Sequence, residues 1–355
     1  MIADTLRYFE SRRARIVEAL GGISRASDAS REAMDRITEF CGRGKMIRGC
    51  LVFLGAESSG GAKAEAGLAL AAAAMELFQA GLLAHDDIMD RDQTRRGAPT
   101  IHARYAAEIA AAGASDSLHA GEALGICIGD LCYFEAFAAL SRALEGHPRC
   151  RGILALCASG LAEVALAQMT DVSWGAVGTE PSEDEILAMY RGKTARYSFS
   201  LPLAVGALAA NSSSSNGADL VVPFTELGER LGILFQVRDD ELGLFGDVAS
   251  TGKGRGSDLR EGKKTLFRAR LLAAAPAAEL PRLSALFGGG AEAGSEDIAY
   301  ISGLADELGV TRSISDMSRK AEEEARSILR GLPEIGPECA AVFEGLVEYV
   351  TRRDR

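Results

Sequence analysis

The sequence predicts an all-α protein, and three observations support that prediction. Leu, Ile, Ala and Met recur every three or four residues along most of the chain, which is the spacing of one helix face. Runs of Val, Ile and Thr with a period of two are nearly absent. Ser182 stands three residues before Glu185 in the pattern of a capping box, and Ser295 precedes an acidic first turn. The predicted helices span residues 4–20, 28–41, 62–90, 117–145, 149–171, 183–209, 226–245, 263–274, 296–308, 311–331 and 334–351.

The composition indicates a folded protein with a large core. Hydrophobic residues make up 47% of the 355 residues, which excludes disorder. The chain carries 39 basic and 50 acidic residues, so its net charge of -11 repels polyanions and argues against nucleic acid as a partner. A phosphate-bearing ligand must therefore be held by local cations, or by metal ions that bridge it to carboxylates.

The predicted location is the cytoplasm, without a transmembrane segment. The seven cysteines form no CxxC pair and indicate reduced thiols, and residues 1–20 do not have the pattern of a secretory signal. The stretch 66–84 is long enough to cross a bilayer, but Glu76 and Gln79 lie in its middle. We therefore expect it to be a buried central helix, in which small alanines let neighbouring helices approach closely.

A single domain is expected over residues 1–355. The low-complexity patches at 211–217 and 288–295 are the clearest candidate connections. Helical patterns flank each patch on both sides, and the chemistry described next needs residues from both sides of the first one.

The densest chemical signal is the acidic run His85-Asp86-Asp87-Ile88-Met89-Asp90, which closes the long apolar stretch. In a helix, Asp86 and Asp90 lie one turn apart on the same face, and Asp87 is rotated from them by about 100°. Stacked carboxylates at a helix C-terminus repel each other and the helix dipole, which costs about 1 kcal/mol. The pattern therefore indicates a cation that neutralises them.

A second acidic cluster, residues 236–241 (QVRDDE), also ends an apolar helix. Carboxylates spaced for oxygen-only ligation suit a hard cation. Mg²⁺ takes one or two carboxylates and completes its octahedron with water and substrate phosphate. The two clusters therefore imply magnesium and a diphosphate ligand. Arg and Lys side chains that could grip this diphosphate occur in short clusters, namely Lys45 with Arg48, Arg95-Arg96, Lys193-Thr194 and Lys253.

These motifs, in this order, resemble the trans-prenyl diphosphate synthase (polyprenyl synthetase) family of isoprenoid chain elongators, from about residue 8 to residue 355. Residues 79–100 are similar to the family's first aspartate-rich region, DDxxD followed by RRGxPT. Residues 235–266 are similar to the second, with its trailing GK…DL..GK..L pattern. Smaller signatures are matched by Gly129-Asp130, Gln168 with Asp171, and Lys193-Thr194.

The resemblance implies a helical bundle around a central cavity, across which the two aspartate motifs face each other. It also implies a homodimer that joins isopentenyl diphosphate to an allylic diphosphate with the help of Mg²⁺. The implied main metal ligands are Asp86, Asp90 and Asp239; Asp87, Asp240 and Lys193 complete the catalytic group. The allylic diphosphate and its departing pyrophosphate would contact Arg95, Lys193, Thr194, Gln236, Lys253 and Lys263, and isopentenyl diphosphate would contact Lys45, Arg48, Gln79 and Arg96.

Two positions depart from the family pattern. Position 243, where a third aspartate is usual, is Gly243, and position 79, often histidine, is Gln79. An amide can still donate a hydrogen bond to a diphosphate, and Asp239 and Asp240 remain, so we expect activity to survive.

Product length should depend on what blocks the tunnel for the growing apolar chain. One turn before Asp86 the sequence carries Gly81 and Leu82, neither of them aromatic. Phe78 lies about two turns, roughly 12 Å, below the metal site. This depth favours geranylgeranyl diphosphate as the main product, with farnesyl diphosphate next.

Two other functions compete with chain elongation. A terpene cyclase of the same fold usually has an Asn/Ser/Glu metal motif on the second helix, against which Asp239 and Asp240 argue. A non-catalytic partner subunit of a true synthase should have lost its aspartates, and here one position of the two motifs has changed.

Overall fold

The computed structural model describes residues 2–23, 31–60, 66–210, 216–246, 256–288, 294–333 and 335–352. The chain divides into two compact units, which are described separately: residues 1–158, 201–225 and 332–343, and residues 159–200, 226–331 and 344–355. The single domain expected over residues 1–355 stays a prediction. Lys253 and most of the two low-complexity patches, residues 211–215 and 289–293, lie outside the described residues.

Helices dominate the described chain, which confirms the all-α prediction. In chain order the elements are α1 (Ile2–Ile23), α2 (Arg31–Gly42), α3 (Ile47–Ser58), α4 (Ala66–Met89), β1 (Thr94–Arg95), β2 (Ala98–Pro99), α5 (Ile101–Ala111), α6 (Ser117–Ala143), α7 (Cys150–Val177), α8 (Glu183–Tyr190), a π-helix (Arg191–Ser200), α9 (Leu201–Ala209), α10 (Asn216–Asp219), α11 (Val221–Phe245), α12 (Ser257–Glu261), α13 (Leu266–Ala274), α14 (Leu280–Leu286), α15 (Ser295–Glu307), α16 (Val310–Gly331) and α17 (Pro337–Arg352).

Helix α4 forms the core of the first unit, as its apolar composition predicted. Residues 71–78 of α4 are all buried, and α6 and α3 pack against it. Elsewhere in this unit, α3 and α9 approach each other closely because α3 carries a glycine. A Cβ atom on Gly55 of α3 would lie 2.9 Å from the backbone carbonyl carbon of Leu203 on α9. The Ala- and Gly-rich sequence thus allows a tightly packed helical unit.

Five of the described helices were missed by the sequence analysis. Helix α3 is buried on nearly every side, so its apolar residues show no helical period. Helices α10, α12 and α14 have four, five and seven residues, too few for a periodic signal, and α5 directly follows β2. Their existence depends on tertiary packing, which a local pattern does not report.

The second unit has its own apolar core. It is built by α8, the end of α11, and α13 to α16 around residues such as Leu271, Leu283 and Ile301. The predicted helix over residues 183–209 is a continuous helical run whose middle is a π-helix. The capping box of Ser182 and Glu185 is confirmed, whereas the cap expected at Ser295 is wrong: Ser295 is the first helical residue, and the preceding backbone N–H donates to Asp297.

Within the part of the chain that the structure describes, three helices are long and apolar enough to cross a membrane by length and composition, namely α4, α6 and α7. The apolar stretch of α4 is 61% buried inside the protein, whereas those of α6 and α7 are 39% and 22% buried. Helix α4 therefore serves as core, and α6 and α7 present apolar surface.

Candidate active site

The first acidic cluster lies at the C-terminal end of α4, where its carboxylates have different surroundings. The Asp86 side chain keeps 24% of its surface exposed, whereas that of Asp87 is fully buried. Arg95 donates from Nε to Asp87 Oδ1, and its Nη2 lies 3.4 Å from Asp86 Oδ2 and 3.6 Å from Asp92 Oδ2. The helical rotation expected between Asp86 and Asp87 is thus expressed as one carboxylate turned outward and one turned inward.

Arg95 reaches Asp87 because the chain reverses in a two-residue hairpin turn. Strand β1 pairs antiparallel with β2, and the residues between them, Arg96 and Gly97, have φ angles of 53° and 73°. Two left-handed residues in succession make the tight turn that suits a hairpin. The non-glycine Arg96 is strained there, as residues at functional sites often are.

Burial changes the acidity of Asp87. It raises the pKa of this carboxyl from 3.8 to about 6, Arg95 opposes the rise, and Asp86 and Asp92 add to it. Among the residues that the structure describes, Asp87 Oδ2 is buried and has no hydrogen-bond partner. Asp87 therefore binds Arg95 in the protein interior, next to the more exposed Asp86.

A group of cations lies beside this cluster in the same unit. The Arg96 guanidinium fills the space that Gly44 leaves open, since a Cβ atom there would lie 2.9 Å from Arg96 Cζ. Burial lowers the pKa of Arg96, and the nearby charges of Arg95 and Arg48 lower it further. Repulsion between these guanidinium groups favours an anion between them, although Glu76 offsets part of it.

The environment of Lys45 differs from the prediction. Lys45 and Arg48 were expected on one helical face, but Met46 has a left-handed φ of 52° and α3 begins at Ile47. The shared helical face is therefore wrong: Lys45 is exposed on the connection before α3, and Arg48 is partly buried in its first turn. Gln79 is partly buried on α4 and, by helix geometry, shares a face with Asp86.

The three residues predicted to set product length lie on two sides of α4. Phe78 is fully buried in an edge-to-face contact with Phe137 of α6, with ring centroids 4.9 Å apart. Gly81 also faces α6, because a Cβ atom on it would lie 2.8 Å from the ring of Tyr133. Leu82 is partly buried and lies one turn from Asp86 on the same face.

The second acidic cluster, in the other unit, also divides into an exposed and a buried carboxylate. Asp239 is exposed near the end of α11, whereas Asp240 is buried. Asp240 accepts hydrogen bonds from Tyr190 Oη and from Gln236 Nε2, the latter at 2.9 Å. Thr194 Oγ1 donates to Gln236 Oε1 at 2.8 Å. A chain of hydrogen bonds thus connects the π-helix to α11.

Asp240 titrates far from its usual range. Burial raises its pKa well above the ordinary value, as does the negative charge of Asp258, while hydrogen bonds from Tyr190 and Gln236 oppose the rise. The Tyr190 hydroxyl also accepts the backbone N–H of Leu266 at 3.0 Å. The buried Asp240 is therefore an anchor for the loop before α13, whereas Asp239 is exposed.

Two of the predicted lysine contacts belong to this second unit. Lys193 Nζ lies 2.5 Å from Asp171 Oδ2, which pairs two of the signatures found in the sequence. Both Lys193 and Thr194 lie in the π-helix, a distortion that often occurs at functional sites. Lys263 Nζ lies 3.9 Å from Asp258 Oδ1.

The donor chemistry fits magnesium that arrives with a diphosphate. Within the described ranges, no group of three or more His, Cys, Asp and Glu side chains forms a preformed metal site. Mg²⁺ needs one or two carboxylates beside water and phosphate oxygens, and the outward Asp86 and Asp239 supply oxygen of that kind. That the two motifs face each other stays a prediction, as do the ligand roles of Asp86, Asp90 and Asp239.

The helical architecture, the two acidic helix ends and the cation groups are typical of an enzyme that acts on diphosphates. Comparisons with known proteins agree. A sequence model of the polyprenyl synthetase family matches residues 30–303. The chain is 30% identical to geranylgeranyl diphosphate synthase of Saccharolobus solfataricus over 316 residues, or 88% of each chain. It is also 30% identical to geranylfarnesyl diphosphate synthase of Aeropyrum pernix over 313 residues, covering 87% of this chain and 90% of that one.

The fold is similar to that of solved structures from the same family. A crystal structure of geranylgeranyl pyrophosphate synthase from Corynebacterium glutamicum, complexed with isoprenyl diphosphate and magnesium, superposes with a TM-score of 0.83 at 29% identity. The match covers 98% of this chain and 99% of that one. The chain therefore belongs to the polyprenyl synthetase family, and it is a prenyltransferase that elongates prenyl chains.

Sequence reasoning missed three residues at these sites. Tyr190 anchors Asp240, Tyr133 covers Gly81, and Asp258 approaches α11 at Gly243. Asp258 belongs to the DL pair of the trailing motif. The sequence analysis found this motif but assigned no role to its aspartate. The two tyrosines are separated from their partners along the sequence and gave no local signal.

Proposed function

We propose that this prenyltransferase condenses isopentenyl diphosphate with an allylic diphosphate to make a longer all-trans prenyl diphosphate, with geranylgeranyl diphosphate as the main product. The observation that carries the proposal is the outward carboxylate that each acidic helix end presents, Asp86 in one unit and Asp239 in the other. Membership of the polyprenyl synthetase family supports it, and the magnesium complex of the Corynebacterium glutamicum enzyme supports Mg²⁺ as the cofactor.

Asp86, Asp90 and Asp239 would hold the metal in this proposal. When bound, Mg²⁺ supplies Lewis-acid neutralisation of the charge that grows on the leaving pyrophosphate. Lys193 adds a point charge on the π-helix, where it can contact the departing group, and the neighbouring Thr194, whose hydroxyl donates to Gln236 Oε1, would lie beside that group. Asp171 positions the Lys193 ammonium through their ion pair.

Isopentenyl diphosphate would bind at the other cation group. Arg48 and Arg96 repel each other in the absence of an anion, so a diphosphate placed between them relieves the repulsion. Lys45 is exposed beside them and can close on the same ligand. Gln79, on the same face of α4 as Asp86, would donate an amide hydrogen bond to this diphosphate.

The chemical steps need no nucleophile from the protein. The C–O bond of the allylic diphosphate breaks, pyrophosphate leaves, and the double bond of isopentenyl diphosphate attacks the allylic cation. A proton then leaves the condensed product, with the released pyrophosphate as its acceptor. The residues named above bind and orient the two diphosphates, which agrees with the lack of a Ser/His/Asp or Cys/His constellation in the sequence.

Product length is the finer part of the proposal. The relatives that match at 30% identity include enzymes named for geranylgeranyl and for geranylfarnesyl diphosphate, whose chains differ by one isoprene unit. We base the choice of geranylgeranyl diphosphate on Phe78, two turns below Asp86, and on the lack of an aromatic residue at 81 and 82. Farnesyl diphosphate is the second candidate product.

The exposed apolar face of α6 supports a homodimer. Ala123, Cys127 and Phe134 are exposed at three- to four-residue steps or multiples of them, and 71% of the Phe134 surface is accessible. Contiguous apolar surface of this kind usually marks an interface.

We also propose that the enzyme works in the cytoplasm, because all seven cysteines are free thiols and Cys127 is exposed.

The experiment that tests the proposal is a product analysis. Purified protein is incubated with labelled isopentenyl diphosphate and with dimethylallyl, geranyl or farnesyl diphosphate, with and without Mg²⁺, and chain lengths are read by chromatography. Labelled geranylgeranyl diphosphate that forms only with Mg²⁺ supports the proposal. Release of pyrophosphate without incorporation of label would indicate a cyclase.

A further inference from the structure

The long apolar helix α4 carries a buried carboxylate to which the proposed reaction gives no role. Glu76 is only 6% exposed and lies in the middle of α4, one turn before Gln79. A buried carboxylate costs free energy unless it is hydrogen-bonded or paired with a cation. The partners of Glu76 therefore indicate what this residue does.

The carboxylate of Glu76 lies against the start of α3. Its Oε1 accepts the backbone N–H of Gly49 at 2.8 Å, and the backbone N–H of Arg48 also hydrogen-bonds this carboxylate. Both N–H groups belong to the first turn of α3, which begins at Ile47. The preceding residue, Met46, gives the helix no side-chain cap. Glu76 thus takes the place of the N-cap, from a neighbouring helix.

Glycine at position 49 lets α3 and α4 approach closely enough for this contact. A Cβ atom on Gly49 would lie 2.9 Å from the backbone carbonyl oxygen of Ala72 on α4 and 3.3 Å from Glu76 Cγ. Any side chain at position 49 would therefore push the two helices apart at the point where Glu76 meets the first turn of α3.

The same carboxylate interacts with two of the cations assigned to isopentenyl diphosphate. Burial raises the pKa of Glu76, whereas the positive charges of Arg48 and Arg96 and the N–H groups of the first turn of α3 lower it. In return, the charge of Glu76 opposes the fall in the pKa of Arg96. Glu76 thus offsets part of the repulsion between the two guanidinium groups when no anion lies between them.

We propose that Glu76 is a positioning residue for isopentenyl diphosphate, because it fixes the first turn of α3 and thereby the place of Arg48. It acts through Arg48, and we assign it no contact with the substrate. This inference rests on the proposed function, since it concerns the diphosphate site to which Arg48 and Arg96 are assigned there.

Two other roles for Glu76 make different predictions. A purely structural role predicts lower thermal stability in a variant, with unchanged affinity for isopentenyl diphosphate. A role as a competing anion predicts tighter binding when the carboxylate is removed, because Arg48 and Arg96 would lose a charge that offsets theirs. The positioning role predicts weaker binding.

The test is the Kd of isopentenyl diphosphate for the full chain, measured by isothermal titration calorimetry, with melting temperatures and steady-state kinetics recorded on the same proteins. Glu76→Ala should raise this Kd about 10-fold, because the first turn of α3 loses its acceptor. The KM for farnesyl diphosphate, and kcat at saturating substrates, should stay within about threefold of the unmodified enzyme. Glu76→Gln keeps the acceptor Oε1 and should bring the Kd back to within about threefold.

Glu57→Ala is the matched control. Glu57 lies at the opposite end of α3 from Arg48, its side chain is 5% exposed, and its Oε1 accepts from Arg12 Nη2 at 2.7 Å. This variant removes a buried carboxylate from an arginine in the same unit, as Glu76→Ala does. Its Kd for isopentenyl diphosphate should stay within about threefold of the unmodified protein.

A second pair of variants leaves Glu76 in place. Gly49→Ala should also raise the Kd, because the new methyl group separates the first turn of α3 from the carboxylate. Gly22→Ala is its control in the same unit, since Gly22 lies in α1 and a Cβ atom on it meets nothing within 4 Å. If Glu76→Ala does not fold, the Kd of Gly49→Ala decides in its place.

The outcomes separate this inference from the proposed function. A Kd in Glu76→Ala that is unchanged or lower, or an equal rise in Glu57→Ala, overturns the positioning role. The proposed function still stands in that case if the unmodified enzyme elongates prenyl chains. An unmodified protein that binds no isopentenyl diphosphate overturns both.

Discussion

The ring of Phe78 on α4 lies edge-to-face against the ring of Phe137 on α6, with centroids 4.9 Å apart. Both helices continue from this contact toward the acidic cluster at the end of α4. If the pair closes the space for the growing chain, Phe78→Ala should lengthen the main product by at least one isoprene unit, as product chromatography would show.

A matched control is needed because losing a buried phenylalanine destabilises a protein by about 3–5 kcal/mol. Phe343→Ala removes a ring that is equally buried and pairs with Phe224 in the same unit. Its product distribution should not change. The same products from Phe78→Ala as from the unmodified enzyme would make Phe78 ordinary core packing.

Tyr190 bridges two parts of the second unit through one hydroxyl group. Tyr190→Phe leaves Asp240 Oδ2 without that donor and the Leu266 N–H without that acceptor. Buried groups that lose their partners cost about 1–3 kcal/mol, so the free energy of unfolding in urea should fall by that amount. Tyr300→Phe, whose hydroxyl bonds Glu279 near the surface, should change it by less than about 0.5 kcal/mol. Equal effects in the two variants would contradict the anchoring role.

The raised pKa of Asp87 predicts how the stability of the metal-free enzyme depends on pH. Its folded-state pKa of about 6 exceeds the ordinary 3.8, so protonated Asp87 favours the fold. This contribution is complete below pH 3.8 and is lost as the pH rises through about 6. Asp87→Asn should therefore flatten the stability profile in that window by about 2–3 kcal/mol. Urea unfolding in metal-free buffer measures it, and a slope equal to that of the unmodified enzyme would contradict the assignment.

Asp86 and Asp90 are expected to act on the chemical step. Replacing either with asparagine should lower kcat by about 100- to 1000-fold, because a group that stabilises the charge of the leaving pyrophosphate is lost. Asp116→Asn, an exposed position before α6 whose side chain makes no capping hydrogen bond, is the control and should keep normal turnover. Steady-state kinetics at saturating substrate measures both. Near-normal kcat in Asp86→Asn would remove it from the site.

The fold could be predicted where helices are amphipathic or flanked by caps, as for the capping box at Ser182. Residue spacing along one helix also placed Asp86 and Asp87 on different sides of α4. The same reasoning wrongly placed Lys45 on a helix face with Arg48, because Met46 is left-handed and α3 begins only at Ile47. It could not show that Tyr133 covers Gly81 or that Asp258 fills the space at Gly243, since such contacts join distant parts of the chain.

The most direct test of prenyl chain elongation is the incorporation of labelled isopentenyl diphosphate in the presence of farnesyl diphosphate, with Mg²⁺ or with a chelator in excess. We expect labelled geranylgeranyl diphosphate with Mg²⁺, its loss with chelator and its return when Mg²⁺ is restored. Incorporation that continues at the same rate in excess chelator, or no incorporation with any allylic diphosphate, would contradict the account.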